Sequence, residues 1–208
     1  MLKRINISDC KPCSTPLEPK CNAGDFANSE LFEGPFCEFI GSLLYLVATT
    51  RPDILFIVNC LSQLQEKPTV AAWTGLKRIL RYLKDAKNFK LVYKKLYNPN
   101  FTIDLYSDID WASDSIDRKS VSGNVLMFCN CPILWCCEKQ NCTSLSSTEA
   151  EIIALIIVNK LRDSVIECFG TSLSLNSSQI HDMTLSVTSL HPYSPNRKPC
   201  LKISQMLS

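Results

Sequence analysis

The sequence predicts an α+β chain: a helical segment, then a mixed sheet with helices. Three observations carry this. Ile54, Leu55, Val58, Leu61 and Leu64, then Trp73, Leu76, Leu80 and Leu83, recur at helical spacing. From Phe89 the pattern changes to short alternating runs with strand periodicity. Ser146-Ser147-Thr148-Glu149 then has the form of a capping box and opens another long helix.

In chain order, residues 1–35 read as an irregular lead-in, interrupted by Pro12, Pro16, Pro19, Gly24, Gly34 and Pro35. Residues 36–88 form a helical segment. Its first helix holds Phe39 to Val47, with Gly41 and Ser42 small enough for close helix contact. Arg51-Pro52-Asp53 breaks it, and a second helix runs from Pro52 to Gln65, since Pro suits the first helical position. Lys67-Pro68-Thr69 is the next break, and a third helix continues to Lys84. Residues 89–203 hold the sheet. Strands are expected at Phe89–Lys94, Ile103–Asp108, Val121–Phe128 and Ile133–Cys137, with a bulge or close backbone approach at Gly123. A helix from Ser146 to Gly170 follows, apolar nearly all round and so expected to be buried on most sides. Gln179–Asp182 reads as a last strand.

Composition excludes some classes. At 208 residues, 46% hydrophobic and 20% charged, the chain is globular. A net charge of +2 gives no whole-chain case for nucleic acid, so that case must be local. No apolar run reaches the roughly 18 residues of a membrane span. Met1-Leu2-Lys3-Arg4-Ile5-Asn6 lacks the apolar core of a secretory signal. The expected location is cytoplasm or nucleus, the 12 Cys are expected as reduced thiols, and Cys129, Cys131, Cys136, Cys137 and Cys142 around the strands are expected as buried thiols acting as small apolar residues. Cys10-Lys11-Pro12-Cys13 has no second half to complete a zinc site.

Two local features carry chemistry. Asp108, Asp110, Asp114 and Asp117 crowd the exit of the Ile103–Asp108 strand. Carboxylates this dense repel one another unless a cation lies between them or water screens them. Spacing alone leaves both a metal site and a solvated acidic turn open. Lys77, Arg78, Arg81, Lys84, Lys87, Lys90, Lys94 and Lys95 form a basic stripe with Tyr82 and Tyr93 interleaved. It can neutralise phosphates, or it can be an ordinary solvated face whose Lys stems cover apolar surface.

Three motifs in order narrow the choice: Tyr106-Ser107-Asp108-Ile109-Asp110-Trp111-Ala112, Asp117-Arg118-Lys119-Ser120-Val121-Ser122-Gly123 and Ser146-Ser147-Thr148-Glu149-Ala150-Glu151. Together they resemble the ribonuclease H region of copia-type retrotransposon Pol polyproteins. Gly41-Ser42-Leu43-Leu44-Tyr45-Leu46, Thr50-Arg51-Pro52-Asp53 and Leu76 to Lys84 resemble the segment before that region, a thumb or connection after the reverse transcriptase palm. The resemblance implies a ribonuclease H-like mixed sheet. It implies two Mg²⁺ held about 4 Å apart by Asp108, Glu151 and Asp182, which hydrolyse the RNA of an RNA–DNA hybrid. The cap gives Glu149 a structural role, so Glu151 is the metal-binding member of its pair. Asp110 becomes a supporting residue and Trp111 part of the core. Lys77, Arg78, Arg81, Lys84, Arg118 and Lys119 become the nucleic-acid contacts. No paired aspartates of a polymerase palm occur, so polymerisation is not expected of this chain.

The resemblance thins after Gly170. Asp182 is followed by Met183-Thr184-Leu185-Ser186 in place of the family's Asn-Gln-Ser-Ala, and Lys202 stands where its tail carries a carboxylate. A cation there repels a metal. The sequence therefore also allows a non-catalytic nucleic-acid-binding module, or an inactive and eroded transposon remnant.

Overall fold

A computed structural model of the chain describes residues 10–18, 23–93, 102–111, 118–172 and 184–189. Among them are α1 (Ala23–Ala27), α2 (Phe36–Thr49), a 3₁₀ turn (Pro52–Ile54), α3 (Leu55–Ser62), α4 (Val70–Asp85), β1 (Thr102–Asp110), β2 (Val121–Phe128), β3 (Cys131–Lys139), α5 (Ser147–Ser172) and β4 (Thr184–Ser189). The order is α+β, as the periodicities predict.

The helical layer has the larger core. Phe36, Ile40, Leu43, Ile54, Val58, Leu61, Leu76, Ile79 and Leu80 are fully buried and belong to one cluster, which also takes in Val121 and Cys137 of the sheet. The stripe of α4 works as its spacing predicts, and its start is fixed by Thr69. The Thr69 hydroxyl accepts from Ala72 N–H at 3.1 Å and donates to the Phe26 carbonyl, tying α1 to α4. Trp73 is half-buried, stacked on Phe32 at 4.5 Å and edge-on to Phe39 at 6.0 Å.

Two helical expectations change. The helix expected from Pro52 to Gln65 opens as a 3₁₀ turn and ends at Ser62, where the Gln65 side chain donates to the Ser62 carbonyl and closes the C-terminus. Close packing through a glycine occurs at Gly75, not Gly41. A Cβ on Gly75 would stand 2.8 Å from the Phe26 ring, whereas a Cβ on Gly41 would meet nothing within 4 Å.

The sheet is four-stranded with order β3-β2-β1-β4; β1 pairs antiparallel with β2 and parallel with β4. The sheet is therefore mixed. β2 and β3 are joined through Cys129 and Asn130, whose φ of 50° and 61° suits a two-residue hairpin turn. The irregularity expected at Gly123 lies instead between Leu126 and Met127, opposite Pro132 of the edge strand. Proline has no N–H for the ladder, and an edge-strand bulge tolerates it. Residues 89–93 are not a strand: the Tyr93 hydroxyl donates to the Pro132 carbonyl at 2.8 Å, and the Cys131 thiol donates to the Val92 carbonyl. Side-chain anchoring there replaces backbone pairing.

The two layers lock together through Asn59, whose amide donates to the Cys137 carbonyl at 2.8 Å, and Trp135, whose indole donates to the Val47 carbonyl at 2.8 Å. The face of the sheet carrying Cys137 therefore meets the helices. The other face carries the small cluster Ile103, Leu105 and Leu126. The nine cysteines whose side chains are described are free thiols. Cys137 is buried as expected and Cys60 is buried too, whereas Cys37 and Cys142 are exposed. Among the described residues no helix is long and apolar enough to cross a membrane.

Candidate functional site

Asp108 lies near the C-terminal end of β1, buried, directly opposite Gly123 of β2. Glycine leaves no side chain beside the carboxylate at that cross-strand position. Asp108 Oδ1 accepts from the Ile109 N–H at 3.0 Å. Asp110 is half-buried at the strand end. Trp111 is 47% exposed, so it is not the core residue expected of it; its indole donates to the Ser144 carbonyl at 3.4 Å. Asp114, Asp117 and Asp182 lie outside the described residues.

α5 brings the second carboxylate. Its start forms as the capping box predicts on one side: Glu149 N–H donates to Ser146 Oγ at 3.1 Å. The return bond reaches one residue further back than expected, from Leu145 N–H to Glu149 Oε2 at 2.7 Å. Glu149 is thus occupied in capping, and Glu151 is half-buried one helical step past Ala150. The expectation that α5 is buried on most sides is not met. Ala150 and Ala154 are fully buried, while Ile152 and Ile156 are 54% and 50% exposed.

α5 packs against β1 and β2. Its first turn is held at one level of the sheet by Gln140, whose amide donates to Ser122 Oγ at 2.8 Å and to the Ala150 carbonyl at 3.0 Å. Ser122 pairs with Ile109, so this level is one residue from Asp108. Strand alternation assigns Ser122 to the face of Leu105 and Ser107, and Asp108 to the face of Gly123 and Cys137. The structure therefore brings Asp108 and the start of α5 to one height on β1, from two faces of the sheet. Among the described residues no three His, Cys, Asp or Glu side chains form a group able to hold a metal.

Beside this site the sheet interior is polar. Ser107 Oγ donates to Asn124 Oδ1 at 2.8 Å, and Asn124 Nδ2 donates to Cys136 Sγ at 3.6 Å. Burial, partly offset by that Asn124 contact, pushes the Cys136 thiol up, with the Glu138 charge adding to the effect, so it stays protonated. No feature of spacing marks Ser122, Asn124, Gln140 and Ser144 as buried. Strand alternation favours burial of Ser122 and Asn124 only once Leu126 is known to face inward.

The basic stripe of α4 divides. Arg78 donates to Glu18 Oε1 and to Thr15 Oγ1, each at 2.9 Å; Arg81 donates to the Lys11 carbonyl at 2.8 Å and Lys84 to the Cys10 carbonyl at 2.9 Å. These three side chains hold the lead-in, and Leu17 of that segment reaches the helical core. Lys77 makes no such contact among the described residues; it lines a cleft of about 500 Å³ with Leu17, Phe26 and Arg81. Arg118 is exposed with φ of 56°, and Lys119 is half-buried. Sequence reasoning also missed the cluster around Arg51. Its guanidinium is bidentate on Asp53 at 2.9 and 2.7 Å and donates to the Ala86 carbonyl at 3.1 Å. Burial opposes its charge, but the Asp53 carboxylate outweighs burial and raises its pKa. Tyr82 donates to Asp53 at 2.8 Å, and burial together with that bond pushes its hydroxyl up to about 12.

Comparison with known proteins places these features. The chain is 39% identical over 152 residues to the retrovirus-related Pol polyprotein from transposon RE1 of Arabidopsis thaliana, covering 73% of this chain and 10% of that protein. It is 34% identical over 161 residues to the Pol polyprotein from transposon TNT 1-94 of Nicotiana tabacum, covering 74% and 12%. It is 36% identical over 158 residues to the uncharacterized mitochondrial protein AtMg00810 of Arabidopsis thaliana, covering 76% and 64%. The match thus spans about a tenth of the length of these Pol polyproteins. No family model matches, and no solved structure matches. The motifs around Asp108 and Glu151 and these likenesses together identify the chain as a member of the copia-type, retrovirus-related Pol polyproteins of transposons.

Proposed function

We propose that residues 89–203 are a ribonuclease H-like domain of such a polyprotein, hydrolysing the RNA strand of an RNA–DNA hybrid, and that residues 36–88 are the thumb or connection preceding it. The observation that carries this reading is the placement of Asp108 on inner strand β1 and of Glu151 in the first turn of α5, a helix that packs against that strand, in a sheet of order β3-β2-β1-β4 with β4 parallel. Both are hard oxygen donors on packed elements, the donor type that Mg²⁺ takes. A bound pair of Mg²⁺ ions supplies an activated water and stabilises the leaving oxygen. Asp108 and Glu151 would hold the ions, with Asp182 as the third ligand. Asp110 and Gly123 shape the approach, one by charge and the other by leaving space. Hybrid is told from DNA by its 2′-hydroxyls, and Lys77, Arg118 and Lys119 are the cations offered to its phosphates.

A second reading, a module that grips nucleic acid without cutting it, is favoured by the approach of Asp108 and α5 from opposite faces and by Lys202. One assay separates the two. The chain is incubated with labelled hybrid and Mg²⁺, alongside Asp108→Asn. Cleavage by the parent that Asp108→Asn abolishes supports the nuclease. Salt-sensitive binding by both, with cleavage by neither, supports the module.

A further inference from the structure

We propose that Gln140 is the positioning residue of the site: one buried amide that fixes the start of α5, and so Glu151, at the height of Asp108. This rests on the nuclease reading only for its catalytic consequence. Gln140 follows β3 and is 4% exposed, and its backbone N–H and both polar atoms of its side chain are used. Its backbone N–H donates to the Ser120 carbonyl at 2.8 Å, extending the ladder between β2 and β3 by one step. Its side-chain nitrogen donates both to Ser122 of β2 and to the Ala150 carbonyl of α5. Its side-chain oxygen accepts from Ser144 Oγ at 3.1 Å, and the Ser144 carbonyl takes the indole N–H of Trp111 at the exit of β1. One side chain therefore joins β2, the first turn of α5 and the loop that touches the end of β1.

A neutral amide suits this place. It supplies two donors and one acceptor in a plane, which matches two oxygens and one hydroxyl. A hydrocarbon would leave Ser122 and Ser144 buried without this partner. A carboxylate would set an acceptor against the Ala150 carbonyl. The fully buried residues at the start of α5, Ala150 and Ala154, each bury little apolar surface, and apolar contact is not directional as hydrogen bonds are. Hydrogen bonds therefore set its position. A shift of about 1 Å at a metal-ligating carboxylate is enough to cost a hundredfold in rate.

The test uses the full chain and three variants, Gln140→Met, Gln140→Glu and the milder Ser122→Ala, each checked for folding by circular dichroism. Hydrogen exchange at the amides of α5 and β1 is followed with cleavage of hybrid in Mg²⁺. The expected result is exchange at least tenfold faster in the first two turns of α5 than in the parent, with β1 unchanged. With it come a 10- to 100-fold fall in kcat and less than a twofold change in KM. Ser122→Ala should show the same pattern at smaller size, so it decides the matter if the Gln140 variants do not fold. Unchanged α5 exchange in a folded variant overturns the proposal, as does a loss confined to KM. If the parent itself does not cleave, the nuclease reading fails and exchange alone judges the clamp.

Discussion

The helical layer and the sheet are held by different means. In the helical layer, nine fully buried side chains, from Phe36 to Leu80, form one apolar cluster. In the sheet, among the described residues, Ile103, Leu105 and Leu126 form a small buried cluster with Phe128, Ile133 and Leu134 packed against it, beside the buried polar residues Ser107, Ser122, Asn124, Gln140 and Ser144. Apolar burial is strong and non-directional, so the helical layer gains stability without fixing any one atom sharply. Hydrogen bonds add little net stability each, but they fix direction. The half that carries the candidate carboxylates is the half built for position.

The largest effect expected from this contrast is at Leu76. Leu76→Ala should destabilise the chain by about 3–5 kcal/mol, the upper range for a cavity in a rigid core, measured by urea denaturation. Leu105→Ala should cost less, about 2–3 kcal/mol, because the smaller cluster around it can collapse around the gap. Equal losses would erase the distinction between the layers.

Next comes pH. The folded Tyr82 hydroxyl titrates at about 12, above its ordinary 10.0. The folded state thus favours the protonated form. That contribution is fully present below pH 10 and is lost as pH rises from 10 towards 12. Denaturation midpoints of the parent should fall across that window more steeply than those of Tyr82→Phe. Parallel curves would show that Tyr82 is not coupled to folding.

The smallest effects concern two glycines on helices. Gly41→Ala should stabilise by about 0.5–1 kcal/mol, since alanine favours the helix and its methyl group meets open space. Gly75→Ala forces Phe26 to move and should be neutral or destabilising. Thermal melts should show a higher midpoint for Gly41→Ala and an unchanged or lower one for Gly75→Ala.

Legibility in the sequence followed the same division. Helical spacing gave the ends of α4 and its buried Leu76 and Leu80, because one periodic stripe faces one core. β2 was legible to the residue, Val121 to Phe128. Phe89–Tyr93 misled, because its alternation is real but its anchors are the Tyr93 hydroxyl and the Cys131 thiol, not a strand partner. The hairpin at Cys129-Asn130 lacks the usual glycine. The role of Gln140 was invisible, since it depends on contacts with Ser122, Ser144 and Ala150 that local pattern does not encode. Likewise α4 displays its cations in sequence, but only the fold shows that Arg78, Arg81 and Lys84 hold the lead-in.

The central claim is that Asp108 and Glu151, from two elements, serve one divalent-ion site. Calorimetric titration of the chain with Mg²⁺, repeated on Asp108→Asn and Glu151→Gln, tests it most directly. The account predicts saturable binding in the parent that either substitution weakens at least tenfold. Binding that survives both substitutions unchanged, or none in the folded parent, would contradict it.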